Sequence, residues 1–97
     1  MPQSIHVKVL VVDDVPQNLL AMQGLLAAPR VEILTARSGA QALELLLRED
    51  DVALALIDVH MPEIDGFALA ELMRGTERTR SIPIIFATAA SQERART

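Results

Sequence analysis

The chain has 97 residues, of which 51% are hydrophobic and 23% charged, enough for one small core and too few for two domains, and too apolar for a disordered segment. A net charge of -4 and an aromatic content of 2%, without Trp or Tyr, argue against a nucleic-acid or anionic-membrane partner. The absence of Cys excludes disulfides and thiolate metal sites, and no run resembles a signal peptide or reaches membrane-span length, so the expected setting is the cytoplasm.

Val7 to Val12 reads VKVLVV and stops at Asp13-Asp14. Such a Val-rich run without polar alternation predicts a strand buried on both faces. Pro16 suits the first turn of a helix, where its missing N–H costs nothing. Leu19, Leu20, Met22, Leu25 and Leu26 recur at helical spacing, and Ala27-Ala28-Pro29 ends that helix. Val31 to Ala36 is a second short strand. Ser38 with Gln41 three residues on fits a capping box for the next helix, whose apolar face is Ala42, Leu43, Leu46 and Leu47. Glu49-Asp50-Asp51 close it as a solvated terminus.

Val52 to Val59 is the most apolar strand and holds one acid, Asp58. Pro62 and Gly66 make the following HMPEIDG a loop, and Asp65 is placed to cap a third helix. Phe67, Ala70 and Met73 form one stripe of that helix. Gly75 to Ser81 is Arg-rich, and Arg74, Arg78 and Arg80 are expected to be solvated. Pro83 leads into a fourth strand, Ile84 to Thr88, and Ser91 is placed to cap a further helix. Short strands alternating with helices predict an α/β fold, a parallel sheet wound on both faces.

In such a sheet, ligands bind outside the carboxyl ends of the strands, where the winding reverses. Asp13 and Asp14 end the first strand, Asp58 lies near the end of the third, and Thr88 ends the fourth. If the first and third strands are neighbours, three carboxylates share one crevice. Their mutual repulsion is relieved by a hard cation such as Mg²⁺, which takes one or two carboxylates, waters and a phosphate. An acidic crevice beside a nucleophilic carboxylate points to phosphoryl chemistry. Asp also starts turns and caps helices, so Asp13 or Asp14 alone carries either reading. Asp58 differs, because an unpartnered acid within an apolar strand is costly.

With these positions assigned, the chain resembles the receiver domains of response regulators and hybrid histidine kinases. The matching pieces are VLVVDD (9–14), LIDVHMPEIDG (56–66) and PIIFATA (83–89). The resemblance implies a flavodoxin-like, doubly wound parallel sheet of strand order 2-1-3-4, with residues 5–97 as the receiver domain. It implies that Asp58 is the phosphoacceptor, attacking a phosphohistidine on a partner histidine kinase or histidine phosphotransfer protein. Asp13, Asp14, Asp58 and the backbone carbonyl of His60 would hold Mg²⁺ or Mn²⁺, Asp14 more directly than Asp13. Met61-Pro62 and Asp65-Gly66 would shape the loop after the acceptor. Thr88 would be the switch hydroxyl, and Ala89 its small neighbour.

A complete family member has five strands, and its last carries a Lys that contacts the phosphoryl group. This chain stops before that strand, and its one Lys, Lys8, lies early in the first strand. Either the sequence is part of a longer chain, or the fourth strand is left as an open edge, in which case a homodimer, edge-paired or swapped, is expected. The expected role is a regulatory phosphoacceptor and not a turnover enzyme. Two alternatives remain. One is a phosphorylation-independent interaction module of the same fold. The other is an Asp-nucleophile phosphohydrolase of the dehalogenase type, whose Asp-x-Asp pattern Asp13-Asp14-Val15 does not match.

Overall fold

In the computed structural model, residues 6–87 are described. Four parallel strands, β1 (Val7–Val12), β2 (Val31–Ala36), β3 (Val52–Ile57) and β4 (Ile84–Phe86), form one sheet in the order β2-β1-β3-β4. Helices α1 (Pro16–Leu26), α2 (Gly39–Arg48) and α3 (Gly66–Arg74) connect them. The doubly wound α/β architecture expected from the alternation of short apolar strands and helices is therefore present, in the expected strand order. The proposed cap at Ser91 and the predicted strand end at Thr88 lie outside the described residues.

Both faces of the sheet are covered, which is why VKVLVV lacks polar alternation. Leu10, Val12, Ala55 and Ile57 pack with Ala42 and Leu46 of α2 and with Leu69 and Met73 of α3. On the other face, Val9, Val11 and Leu56 pack with Leu19 of α1 and the half-buried Met22 and Leu26. Leu20 and Leu25, read as part of the same apolar set, are instead 68% and 79% exposed. A single helix can turn only one stripe to a sheet, and Leu19, Met22 and Leu26 (i, i+3, i+7) occupy it.

Local chemistry sets the helix ends. Pro16 takes the first position of α1, as expected. Ser38 accepts the Gln41 N–H at 3.1 Å, but the Gln41 side chain accepts from Arg37 N–H at 2.7 Å and not from Ser38, so the capping box is displaced by one residue. Asp65 caps α3 by accepting the Ala68 N–H at 2.8 Å. On α3 the buried pair is Leu69 and Met73 (i, i+4), while Phe67 is 59% exposed. Its ring lies 4.8 Å from that of Phe86, inclined by 55°.

One cluster read as solvated, and exposed as expected, also has a structural task. Arg78 Nε donates to the Leu46 carbonyl at 2.9 Å, and its Nη2 donates to the Leu47 and Glu49 carbonyls at 3.3 Å each and to Asp50 Oδ1 at 2.7 Å. Three of those acceptors are orphan carbonyls at the end of α2, which need donors. Arg78 thus ties the loop before β4 to the end of α2. Lys8 closes the same end of the sheet, donating to the Asp50 carbonyl at 2.9 Å and pairing with Glu49 at 3.2 Å. Among the described residues, no helix is long and apolar enough to cross a membrane.

Candidate functional site

β1 lies between β2 and β3, so the winding reverses between β1 and β3. Val12 is in register with Ile57, which makes Asp13 and Asp58 the next residues of two neighbouring parallel strands. Asp58 was read as lying inside the third strand, Val52 to Val59. The strand ends at Ile57, and Asp58 is the first residue beyond it, held to the sheet by its own N–H donating to the Val12 carbonyl at 2.9 Å. Asp13 is tied in the same way, its N–H donating to Ala36 at 3.0 Å. Each acid therefore emerges where the ladder gives out and side chains turn toward the crevice.

The expected convergence is present. One carboxylate oxygen from each of Asp13, Asp14 and Asp58 lies within 4.8 Å of the others. Asp13 and Asp58 are 9% and 8% exposed, and Asp14 is half-buried. Burial pushes the Asp58 carboxyl above its ordinary value; the His60 N–H, donating to Asp58 Oδ1 at 3.3 Å, opposes the rise, and the Asp13 and Asp14 charges add to it. Such a cluster calls for positive charge. Three hard oxygen donors with room for water fit Mg²⁺ or Mn²⁺ and offer nothing to a soft metal.

The two acids of the pair are held differently. Asp13 Oδ1 accepts the Val15 N–H at 2.9 Å, and its Oδ2 accepts Asn18 Nδ2 at 3.1 Å. No hydrogen bond from the described residues reaches the Asp14 carboxylate, so its lone pairs are the more available. Asn18 was missed from sequence. Its signal is a polar side chain on the first turn of the helix, one turn past the acid pair, beside the equally polar Gln17. Asp13 thereby fixes the chain entering α1, which has no side-chain cap of its own at Val15.

The loop from Asp58 to Gly66 closes on the acceptor. The Gly66 N–H donates to the Val59 carbonyl at 3.2 Å. A Cβ at Gly66 would lie 2.4 Å from the Asp58 carbonyl oxygen and 2.8 Å from Val59 Cα, so only glycine fits there. Met61 is buried in the core, His60 is exposed, and Glu63 adopts a positive φ of 67°. Thr88 and Ala89 lie outside the described residues; the Ala87 N–H before them donates to the Ile57 carbonyl at 3.0 Å, directly beside Asp58 in the chain. A separate cavity of about 540 Å³ opens at the opposite end of the sheet, lined in part by Asp51, Val52, Arg78 and Ile82. It has none of the three converging carboxylates, and the acid rim is the better candidate on chemistry.

Comparison with known proteins agrees with this geometry. Residues 9–97 match the response regulator receiver domain family. The chain is 37% identical over 82 residues to the response regulator PleD of Caulobacter vibrioides, covering 84% of this chain and 18% of that protein. It is 35% identical over 81 residues to the polar-differentiation response regulator DivK of Brucella ovis, covering 84% of this chain and 65% of that one. The chain thus spans less than two thirds of the length of either relative. Among solved structures, the response regulator TrrA of Thermotoga maritima, in complex with Mg²⁺ and BeF, superposes with a TM-score of 0.77 at 31% identity, covering 92% of this chain and 75% of that one.

Proposed function

The chain belongs to the family of response regulator receiver domains, regulatory modules of two-component signalling, and on that footing we propose that residues 5–97 work as a phosphoacceptor unit in which Asp58 receives a phosphoryl group from a phosphohistidine. The observation that carries this reading is the convergence of Asp13, Asp14 and Asp58 at the β1/β3 crossover. Asp13, Asp14 and Asp58, with the His60 carbonyl, would hold a divalent cation, Mg²⁺ or Mn²⁺. When bound, that cation neutralises charge on the transferring phosphoryl oxygens and lowers the repulsion within the cluster.

In the transfer, an Asp58 carboxylate oxygen attacks phosphorus. A P–O bond forms, the P–N bond to the donor imidazole breaks, and the ring, already protonated on its other nitrogen, leaves as neutral imidazole. The His60 N–H holds Asp58 Oδ1, which favours presentation of the other oxygen. Thr88 reads out the product by donating its hydroxyl to a phosphoryl oxygen, a local charge event that biases the loop beyond it. The donor is a histidine kinase or histidine phosphotransfer protein in the cytoplasm, and any output activity belongs to a separate module. Pairing of a second copy along β4, the edge strand among the described residues, with Ile85 and Phe86 exposed, is part of this reading; light scattering that shows only monomer at high concentration overturns that part.

Phosphoramidate, which carries the same P–N bond as phosphohistidine, tests the central step. Incubation with Mg²⁺ gives an added phosphoryl mass on the wild-type chain and none on Asp58→Asn or in EDTA. Absence of label on wild type favours the phosphorylation-independent module, and sustained release of phosphate from many esters favours the hydrolase.

A further inference from the structure

None of the chain's glycines within the described residues has a positive φ, so backbone conformation does not demand glycine at any of them. At two positions space does. Gly66 has been accounted for by the Asp58 backbone. The other is Gly39, the buried first residue of α2. A Cβ there would lie 2.8 Å from Ile64 Cβ, 2.9 Å from Ile64 Cγ2 and 3.3 Å from the Ile64 carbonyl oxygen. Gly39 and Ile64 belong to elements 25 positions apart in sequence, and Ile64 sits in the middle of the loop that runs from Asp58 to Gly66.

Both ends of that loop are pinned, at Asp58 by the Val12 carbonyl and at Gly66 by the Val59 carbonyl. Met61 anchors it in the core, and Ile64 packs half-buried against the same cluster. We infer that Gly39 is a positioning residue for the cation site: by carrying no side chain it lets Ile64 seat against α2, and this seat sets the loop that presents the His60 carbonyl and N–H beside Asp58. Alanine is the better helix former at position 39, so a glycine there is explained by the contact and not by the helix. With a Cβ in place, one partner must give by more than half an ångström to regain van der Waals distance, roughly 3.5 Å or more. α2 is held by Ala42 and Leu46 in the core and by Arg78 at its far end. Part of the displacement therefore falls on the loop around Ile64, between its pinned ends.

This inference rests on the cation-site reading, and the experiment separates the two. Mg²⁺ titration of the wild-type chain, followed by the amide resonances of Asp58 to Gly66 other than Pro62, which has no N–H, first tests the site itself; no saturable shift refutes the reading and not the role of Gly39 alone. Given binding, Gly39→Ala should displace the metal-free resonances of 58–66 and weaken Mg²⁺ by about tenfold, the lower end of what losing a ligand's support costs. Gly24→Ala, at a position with nothing within 4 Å, should leave both unchanged. A cycle with Ile64→Gly, which removes both clashing side-chain atoms, locates the cause. In that background Gly39→Ala should alter Mg²⁺ affinity by no more than about twofold, the ordinary scatter of independent substitutions. The same comparison applies if Gly39→Ala alone does not fold. Unchanged resonances and affinity in a folded Gly39→Ala, or an undiminished tenfold loss in the Ile64→Gly background, overturns the inference.

Discussion

Asp58→Asn should stabilise the metal-free protein near neutral pH. Asp58 is 8% exposed and shares its crevice with two carboxylates within 4.8 Å. One such pair repels by about 3 kcal/mol at an effective dielectric of 20 and by about 1 kcal/mol in water. Asp14 is half-buried, so the lower end applies, and two pairs make a relief of about 2 kcal/mol. The Asn carbonyl still accepts the His60 N–H, and its amide can donate to Asp13 or Asp14. For a domain of this size the gain corresponds to a rise in Tm of roughly 10 °C. The effect depends on pH. The folded Asp58 pKa is raised, mainly by burial, above its ordinary 3.8. Between the unfolded and the folded pKa the folded state holds more protons, so wild-type stability falls as pH rises through that window. The advantage of Asp58→Asn is therefore full above the window and disappears on acidification below 3.8. Urea unfolding of both proteins in EDTA at several pH values measures it. A variant no more stable than wild type at neutral pH, or a difference that does not shrink in acid, refutes the reasoning.

Mg²⁺ at one hundred times its Kd should stabilise the wild type by about 2.7 kcal/mol and Asp58→Asn by much less; thermal melts with and without EDTA read both. Asn18→Ala frees Asp13 Oδ2 and should weaken Mg²⁺ by up to about tenfold with little loss of stability, as measured by calorimetric titration. Gly66→Ala drives a Cβ into the Asp58 and Val59 backbone and should cost about 1–3 kcal/mol in urea unfolding. Arg78→Ala removes four hydrogen bonds at the end of α2 and should cost about 1–2 kcal/mol while leaving Mg²⁺ affinity unchanged, because the acid cluster is at the other end of the sheet. Arg78→Lys should recover little, since an ammonium cannot reproduce the fork.

Much of the fold was legible because its determinants are local. Short apolar runs ended by Asp, a Pro at a helix start, and Ser38 and Asp65 at caps all signal within a few residues. The acid rim was legible for the same reason: Asp13, Asp14 and Asp58 each follow an apolar run, and the parallel order of β1 and β3 does the rest. What was not legible depends on partners distant in sequence. Arg78 looks solvated until the end of α2 is folded beside it, about thirty positions away. Gly39 looks like an ordinary helix start until Ile64 is set against it. The exposure of Phe67, Leu20 and Leu25 follows from which stripe of each helix meets the sheet, and apolar spacing alone left more than one stripe open. Asp58 shows the limit at the site itself, since a continuous apolar run concealed that pairing stops one residue before the acid.

The central claim is that one carboxylate of the three carries the phosphoryl group. Treatment with acetyl phosphate and Mg²⁺, followed by reduction of the acyl phosphate with borohydride and peptide mass spectrometry, identifies which. The account predicts conversion at Asp58 alone, dependent on Mg²⁺. Conversion at Asp13, Asp14 or Asp65, or an undiminished yield in EDTA, would contradict it.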